Sequence, residues 1–241
     1  MKKSLIKALF YLTVVNTASF ILSGYGYQWG IWDLGTGMTL LRYGAYLAIG
    51  LLIIQTVLFF FPKESGAKAK TMVIIGFLLA LGVSATAAYW FYKARISPPI
   101  HDITTDTQSP PEFVELVRLR ENAPNPPEYA GEEFARAQRE AYPDIQPLVV
   151  SASVQEVMDE IVSLIARRGW EIISINRQEG RIEATEKLAW FGFRDDVVLR
   201  ITDTDEGTRI DMRSKSRIGR GDLGVNANRI EKLMADLRDR I

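Results

Sequence analysis

The chain has 241 residues, with 29 Lys and Arg, 29 Asp and Glu, one His and no Cys. Without cysteine there is no disulfide framework, thiolate metal site or cysteine nucleophile, and a single imidazole excludes a multi-histidine cage. The zero net charge hides two unlike parts: residues 1–95 hold nine cations and two acids, residues 96–241 hold 20 cations and 27 acids. The first part is net positive by seven and the second net negative by seven, so each is read on its own.

Residues 1–95 contain three apolar stretches, at about 8–28, 43–61 and 71–92. A hydrocarbon core of ~30 Å needs about 20 helical residues, so each stretch is expected to span a bilayer. Lys2, Lys3 and Lys7 followed by Thr17-Ala18-Ser19 fit a signal peptide, but apolar sequence continues through Phe20, Ile21 and Leu22, so a retained helix is expected. Lys63, Lys68 and Lys70 lie between the second and third stretches, whereas the connection between the first and second carries only Asp33 and Arg42. The positive-inside rule then places the N-terminus and the 62–70 loop in the cytoplasm and everything after Tyr92 outside it; Lys93 and Arg95 count against this. In a Gram-negative cell that describes a multi-pass inner-membrane protein with a periplasmic C-terminal domain. Tyr25, Tyr27, Trp29 and Trp32 in the 24–39 loop are expected to settle at headgroup level. No stretch has an acid or base near its middle, which excludes a proton relay or ion path.

Residues 96–147 hold nine of the ten prolines and are acidic. Proline fixes φ and removes a donor, so one long helix or a central strand is excluded. Short helices are predicted over Glu112–Arg120 and Glu128–Tyr142. Phe113, Val114, Leu116, Val117, Tyr129, Phe134 and Tyr142 argue for an extended arm laid against the following domain rather than a free linker.

Residues 148–241 are expected to form an α+β domain. Ile145–Ser151 reads as a strand; Ser153 and Glu156 have capping-box spacing, and Val154, Val157, Ile161, Leu164 and Ile165 follow at helical intervals until Gly169. Four strands are predicted at Trp170–Arg177, Arg181–Lys187, Asp196–Thr202 and Thr208–Ser214, joined pairwise as hairpins. In the last pair Val197, Leu199, Ile201, Ile210 and Met212 alternate with mostly charged residues, which predicts one buried face and one charged face. A final helix is expected from an Asp222 N-cap to about Arg240. Strand, helix, four strands and helix suit an antiparallel sheet with helices on one face. This order resembles half of the TATA-binding-protein arrangement or the helix-grip arrangement, in topology alone.

Two stretches carry a more specific wording. Pro98-Pro99-Ile100-His101-Asp102-Ile103-Thr104-Thr105-Asp106 is followed by Pro110-Pro111-Glu112-Phe113. Asp195-Asp196-Val197-Val198-Leu199-Arg200 precedes a run from Asp211 through Arg213, Lys215, Arg217, Arg220 and Asp222 to Asn226 and Ile230. Together, over about residues 97–240, they resemble the family of bacteria and plastids catalogued as domain of unknown function 1499, with three spans in front as in its membrane-bound alphaproteobacterial members. The resemblance implies a domain and a place but no activity and no catalytic residues.

Two candidate sites follow from the residues themselves. Arg213, Lys215, Arg217 and Arg220 lead through Gly219 and Gly221 to Asp222 and Asn226 at a helix start. Guanidinium forks and free N–H groups there would hold a phosphate, carboxylate or lipid headgroup, unless the arginines pair with Asp195, Asp196, Asp211 and the acidic arm. His101, Asp102 and Asp106 have the chemistry of a general base or metal site, but also suit local turns. No catalytic residue, resident metal or cofactor is assigned. The expected role is a non-catalytic, membrane-anchored binding or assembly module of the bacterial cell envelope, with the lipid bilayer and an envelope protein or anionic lipid as partners. The alternative is a periplasmic hydrolase or metal-dependent enzyme using His101, Asp102 and Asp106. Nucleic acid is excluded as a partner by the acidic second part, which also lacks an aromatic RNP-type strand.

Overall fold

The computed structural model describes residues 2–60 and 66–241. Phe61 at the end of the second expected span, Lys63 of the 62–70 loop and the side chains of Lys2 and Lys3 lie outside the described residues. Contacts divide the chain into two compact units, Met1–Tyr92 with Trp190–Gly192, and Lys93–Ala189 with Phe193–Ile241.

The first unit is built from α1 (Lys2–Gln28), α2 (Leu34–Phe60) and α3 (Ala67–Ile96). All three helices are long and apolar enough to cross a membrane. The aromatic 24–39 segment is not the loop expected: helix runs through most of it and leaves only residues 29–33 as a connection. Lipid offers backbone groups no hydrogen bonds, so continuing the helix is the cheaper course. Asp33 starts α2 by accepting from the backbone N–H of Thr36 at 2.9 Å and from its hydroxyl at 3.0 Å. Trp32 folds back to donate from Nε1 to the Ser23 carbonyl at 3.0 Å, and its ring lies where a side chain on Gly26 would be. Within the same unit Trp190 donates from Nε1 to the carbonyl of Ile21 at 2.8 Å and packs on Phe20.

Polar side chains clasp the apolar helices together. Gln55 of α2 donates to the Thr13 hydroxyl of α1 at 2.7 Å, and Asn16 donates to the Gly44 carbonyl at 3.0 Å. A Cβ on Gly76 of α3 would collide with the Gln55 carboxamide, so the missing side chain is what lets the third helix close on this group. In lipid such hydrogen bonds and small-residue contacts drive helix association, because apolar packing alone does not prefer helix to lipid.

The second unit is α+β. In chain order it contains β1 (Asp102–Thr104), α4 (Leu116–Leu119), α5 (Glu132–Ala141), β2 (Leu148–Val150) and α6 (Val154–Arg167), then β3 (Glu171–Asn176), β4 (Arg181–Lys187), β5 (Arg194–Thr204), β6 (Gly207–Ser216) and α7 (Val225–Arg238). The six strands form one sheet, all pairings antiparallel, in the order β1-β6-β5-β4-β3, with β2 also paired to β6. The expected capping box is present: Ser153 accepts from the Glu156 backbone N–H while Glu156 accepts from that of Ser153. Ile182, Val197, Leu199, Ile210 and Met212 pack on Val157, Ile161 and Ile165 of α6 and Ile230, Leu233 and Leu237 of α7.

Three expectations change. The strand β1 lies within the proline-rich segment, where an extended arm with short helices and no strand is expected; it stands at an end of the strand order and not in the centre. The two helices there are shorter than predicted, starting at Leu116 and at Glu132, the second directly after Gly131, whose φ is 88°. The last helix begins at Val225 after Gly224, whose φ is 79°, and not at Asp222. Asp222 reaches over this left-handed residue to accept from the N–H groups of Gly224 at 2.9 Å and Asn226 at 2.6 Å.

Gly76→Ala should lower the melting temperature of the full chain in detergent by several degrees, through the clash with Gln55. Adding Gln55→Ala should recover part of that loss even though it removes an interhelical hydrogen bond of ~0.6–1.7 kcal/mol. A double variant less stable than Gly76→Ala alone would show that the clasp, not the clash, dominates.

Candidate functional site

Most of the charges on the outward face of β5 and β6 do not meet solvent; Arg200 and Arg209 remain partly exposed. Asp196, Asp211, Arg213 and Lys215 are all buried, and residues of the 102–129 segment cover them. Antiparallel register places Asp102 opposite Lys215, Thr104 opposite Arg213, and Asp196 opposite Lys215 on its other side. Cross-strand partners share a face, so this register alone assembles carboxylates and cations into one buried layer.

Arg213 is the hub of that layer. Its Nε and Nη2 donate to the two oxygens of Asp102 at 2.8 and 2.9 Å. Nη2 also reaches the Pro127 carbonyl at 2.9 Å and Nη1 the Pro111 carbonyl at 3.3 Å. The guanidinium carbon lies 4.7 Å from the ring centre of Phe113 and 5.4 Å from that of Tyr129. Burial and the nearby Asp102 carboxylate push the Tyr129 hydroxyl up to about 12, so it is neutral. Lys215 donates to the Glu128 carbonyl at 2.5 Å and lies 3.1 Å from Asp102; burial draws its amine below the usual lysine range.

Asp196 forms a second node. Arg217 donates to both its oxygens at 2.8 Å, Arg120 donates at 2.6 Å, and the Thr185 hydroxyl donates at 2.6 Å. Arg120 also donates to the carbonyls of Asn125, Lys215 and Ser216. Glu183 is a third node. Its carboxylate accepts from the backbone N–H groups of Val114, Glu115 and Leu116 at 2.9, 3.2 and 2.8 Å, and so caps the start of α4 from β4. Gln138 of α5 closes the free edge of β1. It donates to the Thr104 carbonyl at 2.6 Å and accepts from the Thr104 N–H at 3.0 Å, as a neighbouring strand would.

The arm cluster does not converge. Strand alternation turns Asp102 into the buried layer, whereas the His101 ring lies edge-on to Phe134 with Nδ1 3.3 Å from the Arg220 carbonyl. Asp106 is held elsewhere, 3.3 Å from Arg200 and 3.1 Å from Arg209, while its other oxygen accepts from the N–H groups of Gln108 and Ser109. Among the described residues no group of three His, Asp or Glu side chains is placed to hold a metal ion. The cationic run is divided as well. Arg213, Lys215 and Arg217 are spent on internal carboxylates, and Arg220 is exposed. Asn226 is buried on the opposite face of the sheet, where it donates to the Ser216 hydroxyl at 3.0 Å and the His101 carbonyl at 3.2 Å and accepts from Ser214 at 2.7 Å. Arg229 completes this helix-side cluster with ion pairs to Asp195 at 2.6 Å and Glu186 at 2.5 Å. Arg120, Glu183, Gln138 and Arg229 had no distinguishing motif. The one available signal was period-two charge on strands that also carry a proline-rich neighbour.

Fold and polar layer define an α+β domain, with a six-stranded antiparallel sheet, that follows three membrane-capable helices in the chain. Residues 102–237 match the family described as protein of unknown function DUF1499, and the chain belongs to that family. The matched region begins at Asp102, the partner of Arg213, and ends at Leu237 in the core. No curated protein matches the chain.

Removing one partner of a buried pair leaves the other charge stranded at ~3–5 kcal/mol. Asp102→Ala should therefore cost about that much in chemical unfolding of the full chain, and Asp102→Ala with Arg213→Met less than the sum of the two. Lys215→Met should be near neutral, because Arg213 still satisfies Asp102. Asp106→Ala should cost about 1 kcal/mol or less, as its arginines are partly exposed. Equal, additive effects at all four positions would rule out a hub. Burial lowers the His101 pKa, so the unfolded chain takes up this proton first as pH falls. Its contribution to stability is present above pH ~6.5 and lost below it. His101→Phe should flatten the pH dependence of the melting temperature in that window.

Proposed function

We propose that this protein is a non-catalytic, membrane-anchored binding or assembly module of the bacterial cell envelope, multi-pass in the inner membrane, with its α+β domain on the periplasmic side. The observation that carries the non-catalytic reading is the state of Asp102: both its oxygens are engaged by Arg213 and the group is buried. A carboxylate so neutralised is unsuited to accept a proton or ligate an ion, and its neighbours in the layer are similarly engaged. The lysines at positions 2, 3, 7, 63, 68 and 70 support the orientation, against one arginine before the second span's apolar stretch. An envelope protein fits as the partner. The domain exposes Val114, Val117, Leu119 and Ile175, and β3 pairs on one side only, with β4.

Alkaline phosphatase fused to the C-terminus should be active in cells; an inactive fusion, with a fluorescent cytoplasmic reporter in its place, would reverse the orientation. Photo-crosslinking groups placed at Val117 and Ile175 in intact membranes should trap discrete adducts that groups at Arg238 do not. Turnover of ester, phosphate or amide substrates by the purified chain, abolished by His101→Ala or Asp106→Ala, would instead establish an enzyme.

A further inference from the structure

A cavity of about 300 Å³ lies at one end of the helical unit, between the beginning of α1 and the beginning of α3. That is the lower end of the ~300–1,000 Å³ range of ligand pockets. Ile6 and Met72 give it an apolar part, Lys7 of α1 and Lys68 of α3 line it as well, and no Asp or Glu is among its described lining residues. The candidate spans begin at Ser4 and Ala67, so the cavity sits where hydrocarbon gives way to headgroups. Gly66 and Ala67, at the start of α3, also line it.

We infer that this cavity is a binding site for the headgroup of an anionic phospholipid, with the phosphate between Lys7 and Lys68 and the glycerol end against Ile6 and Met72. Charge selects the ligand: two lysines, with no acid among the described lining residues, leave a zwitterionic headgroup under-compensated and an anionic one matched. The apolar lining selects its source, since a free phosphate gains nothing from Ile6 or Met72, whereas a lipid is already held at that level by its acyl chains. Basic pockets between membrane helices bind acidic headgroups on the same principle. The inference rests on the membrane reading of the three helices but not on which side the second unit lies.

The full chain is purified in mild detergent and offered equal amounts of phosphatidylglycerol and phosphatidylcholine, and bound lipid is counted by native mass spectrometry. A lysine near the surface contributes about fivefold, so the pair should favour phosphatidylglycerol by about 25-fold. Lys7→Ala with Lys68→Ala should abolish the preference and Lys7→Arg with Lys68→Arg should keep it. Lys70→Ala with Lys93→Ala removes the same charge outside the cavity and should leave the preference intact. A preference that survives the cavity variant, or falls equally in the control, overturns the site. Displacement of the lipid by millimolar inorganic phosphate overturns the lipid as its occupant. Each variant is also followed through cell fractionation. Chain recovered in membranes without lipid preference refutes this site alone, and chain recovered in the soluble fraction refutes the membrane reading beneath it.

Discussion

The Asp102–Arg213 pair is the contact around which the second unit is assembled. It joins β1 to β6 by side chains as well as backbone, and the same guanidinium gathers Pro111, Phe113, Pro127 and Tyr129. A segment so rich in proline and acid has few apolar residues with which to order itself, although Ile103, Phe113 and Leu116 are buried. It can be ordered by a donor that reads its carbonyls. Proline lacks an N–H but keeps an acceptor whose direction its ring helps to fix, and arginine offers several donors in a rigid plane. The composition that reads as a linker is therefore suited to wrapping a cation.

Burying this layer costs heavily in desolvation, so its charges must balance locally. Asp102 and Asp196 face four cations, Arg120, Arg213, Lys215 and Arg217. Carbonyl dipoles make up the difference: those of Pro111, Asn125, Pro127, Glu128, Lys215 and Ser216 all accept from these side chains. The layer also defines register. A slip of one residue in β1 would turn Asp102 into the apolar side and Ile103 into the ionic one, and neither side could accommodate the change.

Much of the architecture was legible in the sequence, and the reasons differ by element. The three helices of the first unit announce themselves by length without charge, and α6 by Ser153, Glu156 and the spacing of Val157, Ile161 and Ile165. Strands β5 and β6 follow from period two. Period two cannot tell whether the second face is wet, because it reports only that the faces differ. Asp196, Arg213 and Lys215 look solvated until the covering segment is in place. β1 is three residues long and has no pattern of its own; its pairing is dictated by Arg213 and Lys215, more than 100 positions away. The helix start at Asp222 was displaced by two left-handed residues, Leu223 and Gly224, and only the glycine signals such a conformation.

The two units use one device, the first among helices apolar enough to cross a membrane and the second on a sheet. Among α1, α2 and α3 apolar packing is the same in every direction, and Gln55, Thr13 and Asn16 choose one arrangement by hydrogen bonds that a shifted helix would break. In the sheet, apolar burial against α6 and α7 holds one face, and the ionic layer chooses where the covering segment lies on the other. Apolar contact supplies most of the free energy but little direction, and a few buried polar groups supply direction at a cost in free energy. Groups engaged in this way are withdrawn from encounter with other molecules. The side chains that stay exposed lie outside the layer, Arg220, Val114, Val117 and Ile175 among them.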